Sequence, residues 1–149
     1  MVKPIAWISH LTLFRRTRPL QSAWGIIWWW EARRIPYNFI VGTAGLISSI
    51  LMLGTALVTE PIIGEAVGLP DSPLFGVMAV IAYGVMANVC FTGGWIVELI
   101  CRRVWGKKAD SFGEISFTIG TIFSVLLTLL PAALIVADGA YRVLVHSTH

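Results

Sequence analysis

The chain reads as an all-α integral membrane protein, with three transmembrane helices preceded by a Trp-rich interfacial helix. Three observations predict this. Mean hydropathy is +0.78. Only 13% of the 149 residues are charged, about half the ~25% that coats an ordinary soluble domain. Three uncharged apolar stretches each exceed the roughly 20 residues needed to cross a hydrocarbon core of about 30 Å. Together they exclude a soluble enzyme, a disordered tail and a nucleic-acid-binding module. The pI near 9.2 does not restore the last class, because the basic residues flank apolar runs instead of forming one stripe.

The first division is a cytoplasmic segment, residues 1–36, and the second is a three-helix transmembrane domain, residues 37–149. Residues 5–14 are apolar but too few to span. They contain His10 and run into Arg15-Arg16 with no small-residue cleavage site, so no cleavable signal is expected. Between Pro19 and Pro36 the sequence predicts an amphipathic helix lying in the interface. Ser22 suits its N-cap, Arg33 and Arg34 suit its C-terminus, and Pro36 is expected to stop it. Trp24, Trp28, Trp29 and Trp30 favour the headgroup level, where the ring is apolar and the N–H finds a polar partner. Membrane anchoring accounts for most of them. Their spread around the helix is too wide for one stripe, so some rings are expected to face protein, with pigment or quinone contact the sharper alternative.

The three spans are expected at residues 37–59, 72–97 and 115–137. Their runs are continuous, not alternating, so they are helices and not barrel strands. Lys3, Arg15, Arg16, Arg18, Arg33 and Arg34 precede the first span. Arg102, Arg103, Lys107 and Lys108 lie between the second and third, and only Arg142 follows. Ten of the eleven basic residues therefore fall on one side. The positive-inside rule makes that side cytoplasmic. The expected setting is a bacterial-type inner membrane crossed several times, with the N-terminus cytoplasmic and the C-terminus outside.

The third span carries Ser116, Gly120, Ser124, Thr128 and Ala132 at i, i+4 spacing. Such a face of small and hydroxylated residues lets another helix approach closely. Gly76, Gly84, Asn88 and Thr92 repeat the pattern loosely on the second span, and Gly45 with Ser49 and Ala44 with Ser48 on the first. Pro131 should kink the third span near Leu127, with the Thr128 hydroxyl filling the hydrogen-bond gap. Beyond it, Asp138 and Arg142 should face each other, although Gly139 weakens a continuing helix. Residues 60–73 suit a short interfacial segment between turns.

Chemistry is scarce. Glu98 is the nearest to a buried acid, and an interfacial pair with Arg102 one turn on explains it. A proton relay would need a second acid or His at similar depth. Asn88, the best polar residue within a span, suits an interhelical hydrogen bond, with ligand contact the alternative. Of the histidines only His10 comes near enough to the bilayer to be a weak cofactor candidate. Cys90 and Cys101 on one helix would stand roughly 16 Å apart, far beyond the limit of about 7 Å for a disulfide. Cys90 is expected to pack as a small apolar residue and Cys101 to sit at the cytoplasmic edge. The familiar catalytic and phosphate-binding motifs are absent, and Gly93-Gly94 reads as close helix packing. No catalytic residue, metal site or cofactor is predicted, although lipid or pigment contact is left open.

Two functions remain. The first is a non-catalytic accessory subunit of a larger membrane complex, with respiratory and photosynthetic complexes as candidates. Its partners would be membrane lipids and other membrane subunits. Its contact residues would be Trp24, Trp28, Trp29, Trp30, Arg33 and Arg34 at the interface and Ser116, Gly120, Ser124 and Thr128 in the bilayer. The alternative is a homo-oligomeric channel or transporter lined by Asn88, Thr92 and Glu98.

Overall fold

A computed structural model describes residues 22–64, 73–106 and 111–148. They form three helices: α1, Ala23–Ile63; α2, Pro73–Trp105; and α3, Phe112–Ser147. All three are long and apolar enough to cross a membrane. The expectations for His10, for residues 5–14, for Lys107 and Lys108, and for most of the segment after Gly64 fall outside the described residues.

Helix α1 departs from the sequence reading. The Trp-rich stretch and the first span are one uninterrupted helix of 41 residues, and Pro36 lies inside it. Proline removes one backbone donor but has a fixed φ that a helix accepts, and the lost bond is tolerable where neighbours fix the flanking turns. Here Arg34, Tyr37 and Asn38 all reach α2 with their side chains. Ser22 does cap the start: its Oγ accepts from the Gly25 N–H at 3.1 Å. The end comes at Gly64, whose φ of 71° is open to glycine and strained for other residues. Gly106, at φ 56°, closes α2 in the same way.

Helix α3 likewise runs through Pro131 and Gly139 to Ser147. The Thr128 hydroxyl donates to the Ser124 carbonyl at 2.6 Å. Asp138 and Arg142 pair as expected, at 2.9 Å. Gly139 does not end the helix, because it serves packing: a Cβ there would come within 2.7 Å of Thr55 Cγ2 and 3.2 Å of Thr59 Oγ1.

The described residues fall into two compact units. One joins α1 up to Asn38 with Tyr83–Phe123, and the other joins Phe39–Ala82 with Ser124–His149. In the second, α1 buries Ala44, Ser48, Ala56 and Thr59, and α3 buries Thr128 and Ala132. Thr128 Cγ2 would lie 3.7 Å from a Cβ on Gly45. With Gly139 at Thr55 and Thr59, these contacts run α1 and α3 in the same direction. Small residues allow that approach, as their spacing implied.

Candidate functional site

The first unit holds most of the chain's described charge and its largest aromatic cluster. Its centre is Trp30, almost fully buried. The ring packs edge-on to Trp29, Phe91 and Phe117, with centroids 5.8, 5.3 and 5.7 Å away. Tyr37 stacks at a tilt on Phe91 at 4.8 Å. Edge-to-face pairs of this kind set the positive rim of one ring against the negative face of another. Gly94 makes room for the indole, since a Cβ there would come within 2.6 Å of it. Of the Gly93-Gly94 pair, only Gly94 is used for close approach; a Cβ on Gly93 would meet nothing within 4 Å.

The indole N–H of Trp30 is satisfied by Glu98. Its Nε1 donates to Glu98 Oε2 at 2.7 Å, and Arg102 Nε donates to Oε1 at 3.0 Å. Glu98 has 0% exposure, so each carboxylate oxygen needs such a donor to offset its lost hydration. The expected Glu98–Arg102 pair is present, but Glu98 also ties α2 to α1.

About one turn along α1 a second network forms. Arg34 grips Glu31 through two bonds of 2.7 Å. It also donates to Asn88 Oδ1 at 3.1 Å and to Thr92 Oγ1 at 3.0 Å. Asn38 and Asn88 exchange amide hydrogen bonds at 3.2 and 3.1 Å. A planar guanidinium presents several donors at once, which suits it to this bridging position. The contacts of Asn38 with Asn88, Arg34 with Thr92 and Trp30 with Glu98 set α1 and α2 antiparallel.

The described residues singled out from the sequence differ in their settings. Trp24 and Trp28 are exposed, at 81% and 77%, whereas Trp29 and Trp30 are buried. Arg33 folds back over Trp29, its guanidinium carbon 3.8 Å from the ring centroid, and donates to the Trp29 carbonyl. Arg34 does not cap a helix end; it bridges to α2. Asn88 makes its interhelical bonds with α1. On α3, Thr128 is buried and Ser116 and Ser124 are half-buried. Gly120 is exposed, and a Cβ on it would meet nothing within 4 Å. The stripe therefore divides by height, with its Thr128–Ala132 part in contact with α1 and Gly120 turned outward. Cys90, expected to pack as a small apolar residue, is exposed, and Cys101 is buried.

Sequence reasoning missed Trp30 as the partner of Glu98, and Phe91, Phe117 and Tyr37 as its neighbours. A signal was present. Asn88, Phe91, Thr92, Trp95, Glu98 and Arg102 recur at three- and four-residue steps and share one face of α2. Chemically the cluster holds helices together: its carboxylates each face a guanidinium, and among the described residues no three His, Cys, Asp or Glu converge. Comparison with protein families, with curated proteins and with solved structures finds no match.

Proposed function

We propose that the protein is a non-catalytic accessory subunit of a larger membrane complex, packing against partner helices and lipids. The observation that supports this reading is the start of α2. Along residues 74–82 every side chain but Gly76 is exposed, on all sides of the helix, among the described residues. That is about two and a half turns with no burying neighbour. Helices in lipid gain stability by packing on one another, so such a stretch suits contact with helices of another subunit. The excess of Lys and Arg near one end of the spans supports a cytoplasmic N-terminus in a bacterial-type inner membrane.

The experiment is purification in a gentle detergent from the native membrane, with a photoreactive residue at Phe75 or Met78. Cross-linking to a larger subunit at fixed stoichiometry is the expected result. A discrete homo-oligomer with no other component would overturn it and favour the channel reading. Nothing in the geometry favours that alternative, because Asn88, Thr92 and Glu98 are all engaged with the chain's own α1 or Arg102.

A further inference from the structure

We propose that exposed tryptophans and an arginine at the N-terminal end of α1 and the C-terminal end of α2 form a belt that binds anionic phospholipid headgroups. On this proposal the belt, and not the Arg34–Asn88 network below it, marks that edge of the bilayer. It requires that the chain lie in a membrane, and does not depend on the accessory role.

Three observations carry it. The first is coincidence of height. The antiparallel register sets Trp30 against Gly94 and Glu98. Continued along both helices, it puts Arg103 and Trp105 of α2 within about a turn of Trp24 on α1. Trp24, Trp28 and Trp105 are all exposed, as is Arg103. Exposed tryptophan beside exposed arginine is the composition suited to a headgroup layer, with the ring at the acyl boundary and the guanidinium on phosphate.

The second is where charges are matched. Glu31 with Arg34 and Glu98 with Arg102 are paired within the chain, Arg102 standing beside Arg103 on α2. Arg103, at belt height, makes no ion pair among the described residues, so its charge is available to a lipid phosphate. The third is what lies between. Ile96, Val97 and Ile100 on α2 and Ile115 and Ile119 on α3 are exposed and apolar. An edge drawn at the Arg34–Asn88 network would leave the α2 side chains bare in water. An edge at the belt immerses them.

The test uses the full chain in nanodiscs of phosphatidylcholine, with and without about one-third phosphatidylglycerol. Retained lipid is read by native mass spectrometry. Phosphatidylglycerol should be retained over phosphatidylcholine, and Arg103→Gln should cut that preference about fivefold, the factor for one basic residue near an anionic surface. Both side chains are exposed, so W24L/W28L should fold and retain less lipid of either kind. Equal retention of the two lipids, or an unchanged preference in R103Q, overturns the proposal. Spin labels give an independent reading of depth. A label replacing Trp28 should report headgroup depth and one replacing Phe39 the acyl region. Headgroup depth at Phe39, or a label at Trp28 immobilised by a co-purifying protein, overturns it as well.

Discussion

Trp30 is where one atom decides most. Replacing it by Phe keeps an aromatic ring among Trp29, Phe91 and Phe117 but removes the N–H that serves Glu98. A buried acceptor left without its donor costs about 1–3 kcal/mol, and more when charged. Trp30→Phe should therefore lower the melting temperature in detergent clearly, whereas Trp24→Phe, at an exposed site, should stay within about 0.5 kcal/mol of the parent. Glu98→Leu should also destabilise, by removing the carboxylate that accepts from both Trp30 and Arg102. The double variant should lose less than the two single losses added, because both remove the same bond. Additive losses would mean that the bond contributes nothing beyond packing.

At the scale of elements, closeness of approach is set by single glycines. Gly94→Ala must displace the Trp30 ring, since its Cβ would stand 2.6 Å from it. That substitution should destabilise the fold and release the Glu98 bond, seen as a shift in tryptophan emission. Gly93→Ala meets open space and should be neutral or gain up to about 1 kcal/mol of helix propensity. Equal behaviour of the two variants would refute the close approach. This contrast also shows what was legible beforehand. The spans were readable because hydropathy is a property of consecutive residues. The Ser22 cap and the Asp138–Arg142 pair were readable because they are local. Pro36 misled, because a local rule for helix ends was overridden by side chains that reach α2 from either side of it. The Trp30–Glu98 bond was hidden for a related reason: which of four clustered tryptophans turns inward depends on the facing helix. Gly120 and Thr128 share a sequence stripe, and only contact with α1 distinguishes them.

For the whole molecule, length is the controlling quantity. Helix α1 has 41 residues, or about 60 Å at ~1.5 Å per residue. From Trp24 to Glu60 it covers roughly 54 Å, against about 40–45 Å for a bilayer with its headgroups. If both ends lie within the bilayer, α1 must tilt by roughly 40°, well above the average of about 20°. Oriented-sample solid-state NMR of the reconstituted protein should report that angle. A tilt near the average would place the Trp24 end clear of lipid and require protein to cover it.

The bond between Trp30 and Glu98 spans 68 positions of the chain, and this has a consequence during synthesis. At about 5–20 residues per second, the acid is made roughly 3–14 s after the indole it must meet. Throughout that interval Trp30, Glu31 and Arg34 exist without α2, and Phe117 follows later still. The start of α1 must therefore wait near water, where its charged groups are hydrated, and enter its final place only as the second helix arrives. In a bilayer, the buried Trp30–Glu98 contact of α1 would therefore form only once α2 is present as the second half of a hairpin.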